Sequence, residues 1–240
     1  MLLEKNPKKC HSNTSNMETV IEARNISKVY EGNGEDLNAL KQVNLLVKKG
    51  ESLAIIGKSG SGKSTLMHVL ATLDRPSQGE LLVDGKPTSK LSTKEIDDLR
   101  NQKFGFVFQQ FFVNGRNTVL ENVLMPLVIS GVPKQDRLKR GHAVLASVGL
   151  SEKANVRASD LSGGQKQRLC IARAIIMNPE VIFADEPTGN LDSENGENII
   201  KLLFSLQREH GITLVFVTHD QDLAALCGRT VILRDGEIIS

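Results

Sequence analysis

The sequence predicts an α/β fold: a mostly parallel sheet covered on both faces, an antiparallel β subdomain at its N-terminal end and an inserted α-helical subdomain. Three observations lead there. Phe104-Gly105-Phe106-Val107-Phe108, Val181-Ile182-Phe183-Ala184 and Thr213-Leu214-Val215-Phe216-Val217 are short, nearly continuous apolar runs of the kind found in strands buried on both sides. Val20 to Val29 and Leu40 to Val47 instead alternate apolar and polar residues, as half-buried antiparallel strands do. Between Gln109 and Leu161 the pattern turns helical.

Taken in order, Met1 to Thr19 carries Lys5, Lys8 and Lys9 among Asn and Ser without an apolar signal core, which predicts a disordered tail over residues 1–19 ahead of a domain at 20–240. The two alternating runs flank the loop Glu31-Gly32-Asn33-Gly34. Leu53-Ala54-Ile55-Ile56 then leads into Gly57-Lys58-Ser59-Gly60-Ser61-Gly62-Lys63-Ser64 and a helix-compatible stretch from Thr65 to Ala71. Glu80 to Val83 with Asp84-Gly85 adds a strand and a tight turn. Thr118 and Glu121 have capping-box form, and Val119, Val123 and Leu127 recur on one helical face. A second helix is expected from Lys134 to Val148, so the helical insertion covers residues 110–162. Its length of about fifty residues suits a subdomain.

The chain has 240 residues, of which 40% are hydrophobic, enough for a packed core. Thirty basic against 28 acidic side chains give a formal charge of +2, so no overall field argues for nucleic acid as a partner, and none is expected. Cys10, Cys170 and Cys227 are odd in number and scattered, which fits a reducing cytoplasm better than a disulfide framework or zinc site. Cys10 is read as an idle thiol. No run approaches the roughly 20 apolar residues of a membrane span; Val123 to Val132 is interrupted by Pro126, Ser130 and Gly131.

Gly57 to Ser64, set between a strand and a helix, has the spacing of a phosphate cradle. Backbone N–H groups converge on a polyanion, Lys63 brings a point charge to the terminal phosphates and Ser64 offers a hydroxyl to Mg²⁺. The expected ligands are a nucleoside triphosphate and its metal, with Gly57, Lys58, Ser59, Gly60, Ser61, Gly62, Lys63, Ser64 and Thr65 as contacts. In an open parallel sheet the carboxyl ends of strands border the ligand crevice, so Gln109, Asp185-Glu186 and His219 are expected to gather there. Asp185 is the natural metal partner, and Glu186 the candidate general base toward the attacking water. Alone, Asp185-Glu186 before Pro187 reads as a solvated acidic turn; beside the phosphate loop that reading is the weaker one.

Leu161-Ser162-Gly163-Gly164-Gln165 opens a helical pattern from Lys166 to Met177. Ser162 and Gln165 form an ordinary capping box, but two glycines in a first turn weaken a helix by roughly 1 kcal/mol each. Close backbone approach is then useful, and a second anion site is the sharper hypothesis. His219-Asp220 could equally begin a helix with Asp220 as its cap.

Gly57 to Ser64, Gln109, Leu161 to Gln165, Val181 to Glu186, Gly189-Asn190-Leu191-Asp192 and His219, in this order, resemble the nucleotide-binding domain of ABC ATPases over residues 20–240. The resemblance implies a P-loop NTPase core that binds ATP and Mg²⁺ and works as a head-to-tail homodimer. Each ATP would lie between the Gly57 loop of one protomer and Ser162, Gly163, Gly164 and Gln165 of the other, and hydrolysis would loosen the pair. It further implies that Gln109 contacts Mg²⁺ or the attacking water, that Asp192 communicates across the dimer, and that His219 bonds the γ-phosphate and positions Glu186. Tyr30, the sole tyrosine, matches the family's adenine-stacking aromatic, though as an isolated residue it reads equally as an ordinary strand position.

Leu91-Ser92-Thr93-Lys94-Glu95, Leu99-Arg100-Asn101, Gly105 to Gln109, Thr118 to Pro126 and Pro187 to Asp192 are similar to the MacB/LolD branch. That branch implies a separate FtsX-like membrane permease, placed against Gln109 to Leu127, and a location on the inner face of the cell membrane through that subunit. It works in export, lipoprotein release or mechanical signalling. Ala158, where proline is common, and Lys166, where Gln or Glu is, depart from the pattern, and the stop soon after Asp235-Gly236-Glu237 argues against an added regulatory domain. The alternatives are a non-transport ABC ATPase, which usually brings a long coiled coil or a second ATPase unit, and a nucleotide-regulated interaction protein that hydrolyses little.

Overall fold

The computed structural model describes residues 18–32 and 36–239. The tail residues 1–17 with Cys10, and Asn33 and Gly34 of the first loop, lie outside the described residues. The elements in chain order are β1 (Thr19–Tyr30), β2 (Leu37–Lys48), β3 (Ser52–Ile56), α1 (Lys63–Leu70), β4 (Gln78–Val83), β5 (Lys86–Pro87), α2 (Thr93–Lys103), β6 (Phe104–Phe108) and α3 (Val119–Ile129). There follow α4 (Lys134–Ser147), α5 (Gly163–Ile175), β7 (Val181–Asp185), α6 (Ser193–His210), β8 (Thr213–Thr218), α7 (Gln221–Leu226), β9 (Arg229–Arg234) and β10 (Glu237–Ile238).

Two sheets form. An antiparallel sheet runs β2-β1-β4-β5, and a second runs β10-β9-β3-β8-β7-β6, parallel from β9 to β6 with β10 antiparallel at its edge. Strand pairing begins earlier than the sequence suggests. Thr19 is already paired with Lys48, and the Lys49 amide donates to the Glu18 carbonyl at 2.8 Å, so the ladder claims the last two residues of the expected tail.

Alternation along the parallel strands divides the core. On β8, Leu214 and Phe216 join a cluster with the helices, while Val215 and Val217 join a cluster with β1, β2 and α1. On β7, Ile182 and Ala184 face the helices and Val181 and Phe183 the antiparallel sheet. Burial on both faces is what makes these strands read as unbroken apolar runs. Val119, Val123 and Leu127 of α3 and Leu145 of α4 share the helix-side cluster with Phe216, so the inserted helices extend the main core.

Both predicted capping boxes are present. Thr118 accepts from the Glu121 amide while Glu121 Oε2 accepts from the Thr118 amide at 2.7 Å. Ser162 and Gln165 reciprocate in the same way at the start of α5. Asp220 caps α7, accepting from the amides of Asp222 and Leu223. Helix α2, opened by a third box at Ser92 and Glu95, is an element the sequence reading did not assign. Burial pushes the thiols of Cys170 and Cys227 up to about 11, which leaves both as poorly reactive packing residues.

Two glycines of the phosphate loop are set by packing, and a Cβ at Gly62 would sit 2.4 Å from the Ala39 carbonyl oxygen. A Cβ at Gly57 would sit 2.2 Å from the Leu233 carbonyl oxygen of β9, which is backbone and has no side-chain freedom to yield. Gly57→Ala is therefore expected to destabilise the chain by about 1–3 kcal/mol, the usual cost of overpacking, seen as a lower thermal midpoint.

Candidate functional site

Register lines up the carboxyl ends of the central strands. Ile56 of β3 pairs with Thr218 of β8, Val217 with Asp185 of β7, and Asp185 with Phe108 of β6. The next residues along these strands are Gly57, His219, Glu186 and Gln109, so four of the expected residues meet at one sheet edge.

The loop after β3 turns directly into α1, which starts at Lys63. Lys63 Nζ donates to the carbonyls of Gly57 at 2.8 Å and Lys58 at 2.9 Å, holding its charge over the loop. Ser64 is exposed one residue on, whereas Ser61 is buried with its Oγ unpaired and turned toward Gly57, its amide donating to the Lys58 carbonyl at 3.2 Å and its carbonyl accepting from the Gly236 amide at 3.1 Å. Lys58, Ser59 and Gly60 are exposed at the tip, and Gly62 and Thr65 half-buried at the helix start.

Burial, then the neighbouring Glu186 carboxylate, hold Asp185 above the usual carboxylate range, against the opposing pull of His68, Lys63 and a hydrogen bond with Ser64. Negative charge here is thus only partly compensated, and Asp185 with Ser64 supplies the hard oxygen donors that suit Mg²⁺. No group of three or more His, Cys, Asp or Glu among the described residues could hold a metal on its own.

Glu186 adopts φ +44°, uncommon for a residue with a side chain. Its amide donates to the Val217 carbonyl at 2.9 Å, and its carboxylate lies against the end of β8. Oε1 accepts from the His219 amide at 2.9 Å and faces His219 Nδ1 at 2.6 Å, while Oε2 accepts from Thr218 Oγ1 at 3.1 Å. The His219 ring is 79% exposed and the Glu186 side chain 19%.

Gln109 is exposed and packs on the next loop: a Cβ at Gly189 would be 2.8 Å from Gln109 Nε2, and Asn190 Nδ2 donates to the Gln109 carbonyl at 2.8 Å. Asp192 caps α6, and the Asn195 backbone and side-chain amides hold its carboxyl below the usual range. Asn195 also explains Gly164, where a Cβ would stand 2.6 Å from Asn195 Oδ1. The close approach expected of the glycine pair is made, at Gly164, between α5 and α6 of the same chain. Gly163 has only ordinary contacts, so its amide, with that of Gly164, heads the helix beside Ser162. Among the described residues no hydrogen bond or ion pair joins Ser162 to Gln165 with the Gly57 loop.

Tyr30 donates its hydroxyl to Asp74 Oδ2 at 2.9 Å, carries Lys28 Nζ 4.9 Å from its ring centroid and also engages the Thr65 side chain. Burial, ahead of Asp74, raises its hydroxyl above the ordinary value.

Two residues of this edge escaped the sequence reading. Thr218 sits at the end of a strand whose apolar run drew attention to His219 instead. Gln167, fully buried on α5, donates Nε2 to the Pro187 carbonyl at 2.6 Å and the Phe108 carbonyl at 3.3 Å, tying α5 to the residues before Gln109 and after Glu186. The only signal for either was a lone polar residue on an otherwise apolar face.

A family model described as ABC transporter matches residues 40–189. The lipoprotein-releasing system ATP-binding protein LolD of Syntrophus aciditrophicus is 43% identical over 92% of this chain and 99% of its own length. The macrolide export ATP-binding/permease protein MacB of Mannheimia succiniciproducens is 44% identical over 92% of this chain, which spans 34% of that longer protein. Among solved structures, an ATP-binding cassette in a dimeric post-hydrolysis state bound to ADP and Pi aligns with TM-score 0.84 and 42% identity, covering 92% of this chain and 97% of that one.

Proposed function

Since the chain belongs to the ABC transporter family of ATP-binding proteins, in the branch of LolD and MacB, we propose that it hydrolyses ATP with Mg²⁺ as a homodimer to drive a separate FtsX-like permease. The observation that carries this reading is the meeting of Lys63, Ser64, Asp185, Glu186, His219 and Gln109 at one sheet edge, with a capped helix N-terminus at Ser162 that no hydrogen bond or ion pair among the described residues joins to the Gly57 loop.

In this reading the loop Gly57 to Thr65 binds the phosphates and Lys63 neutralises their terminal charge. Ser64 and Asp185, with Gln109, would hold Mg²⁺, which supplies further charge neutralisation. Glu186 orients the water and takes its proton as oxygen attacks the γ-phosphorus; the bond to the β-phosphate oxygen breaks and ADP leaves. His219 steadies Glu186 and reaches the γ-phosphate. Ser162 to Gln165 of a second copy binds that phosphate from the other side through a helix N-terminus of about half a positive charge. Tyr30 stacks on adenine, and Asp192 relays closure through Asn195 to α5. The inserted subdomain at residues 110–162 is the part that meets the permease.

A groove of about 600 Å³, lined by Leu73, Phe106, Pro126, Ile129 and Met177 among others, suits that partner. Phe112 at 63% exposure, Met125 at 41% and Ile129 at 72% add an apolar rim. No helix among the described residues is long and apolar enough to cross a membrane. By its likeness to LolD, the cassette would work from the cytoplasmic face through the permease. Photo-crosslinking from Phe112 and Met125 in intact membranes is the test. Crosslinks to an integral-membrane subunit are expected; crosslinks only to nucleic acid or ribosomes would overturn the reading. Ile129→Asp is expected to lose co-purification with that subunit while the isolated chain keeps its ATP turnover.

A further inference from the structure

We propose that Thr218 is a positioning residue for hydrolysis: its hydroxyl anchors Oε2 of Glu186 and so fixes the plane of the carboxylate that takes the proton from water. The inference rests on the reading of Glu186 as the general base.

The direction of this bond is determined. Thr218 Oγ1 accepts from the Asp220 amide at 3.0 Å and lies 3.1 Å from Glu186 Oε2. A hydroxyl has one proton, and an ionised carboxylate only accepts, so that proton points at Glu186. Thr218 is 1% exposed, which leaves no bulk water to compete for it.

The anchor is also the rigid one of the pair. Thr218 ends β8, paired with Ile56 of β3 immediately before the phosphate loop. His219, which holds the other oxygen, has a ring 79% exposed that is free to turn toward a phosphate. One contact from each side stops the carboxylate rotating about its last bond. When the His219 ring moves to a ligand, its amide and Thr218 remain. A valine would fill the same space after the apolar run Leu214 to Val217 of β8, so the hydroxyl is the informative feature of this position.

The test is steady-state ATP turnover of the full chain carrying Thr218→Val or Thr218→Ser. Thr218→Val is expected to lower kcat about 10–100-fold, the scale of a small misplacement of a reacting group, with KM for ATP within about twofold. Thr218→Ser, which keeps the hydroxyl, is expected to recover most of kcat. Wild-type kcat in the valine variant, a loss seen in KM, or a serine variant as slow as valine would each overturn the proposal. Thr218→Val added to Glu186→Gln is expected to cause no further loss; an added loss would place its effect elsewhere. Full turnover in Glu186→Gln alone would instead defeat the general-base reading, which separates the two failures.

Discussion

Replacing Glu186 by glutamine is expected to lower ATP turnover by about 10²–10⁴-fold, the usual contribution of a general base, while ATP stays bound and the chain collects as a dimer. Glutamine keeps the shape of the side chain, and its amide oxygen can still accept from the His219 amide or Thr218. It cannot take a proton. Lys63, Ser64 and the loop around them are untouched, so the triphosphate and the bridge it makes between two copies should persist. Size-exclusion chromatography with ATP and Mg²⁺, beside a phosphate-release assay, checks both halves. A variant that binds ATP tightly yet stays monomeric would remove the shared site from the account.

The parts of this site that were legible in the sequence are those whose meaning is local. Gly57 to Ser64 carries its chemistry in its spacing, and β6, β7 and β8 announce themselves because both faces are buried. Helix α2 is harder, since Ile96 is its only buried residue and most of its other side chains are charged or polar, although the Ser92 and Glu95 box was there to be read. β9 begins and ends in Arg229 and Arg234, which disguises a strand that pairs with β3 through the middle of the protein. Thr218 and Gln167 gain their roles from partners distant in sequence: Glu186 lies 32 positions from Thr218, and Phe108 lies 59 from Gln167. Gly164 shows the reverse case, where a motif residue suggested a ligand and the structure supplied Asn195. A sequence states which groups are available; the fold decides which of them face one another.

Lys63→Ala is the second substitution with a large expected effect, opposite in kind to the first. The ammonium donates to two loop carbonyls, which places it at the mouth of the phosphate cradle beside Asp185. Hydrogen bonds to charged groups contribute about 1.5–3 kcal/mol each, so ATP affinity should fall by about 10–100-fold and turnover with it. Fold stability should change little, because Lys63 is only half-buried and water can satisfy the freed carbonyls. Lys63→Arg should not rescue, since a planar fork does not replace a compact charge on a flexible stem. Titration calorimetry with ATP measures the affinity, and thermal melting separates it from unfolding. The decisive arm combines both changes. Glu186→Gln with Lys63→Ala should remain monomeric at ATP concentrations that dimerise Glu186→Gln alone, because a bridge that is never loaded cannot accumulate; a dimer of undiminished ATP affinity would mean that Lys63 does not hold the phosphates.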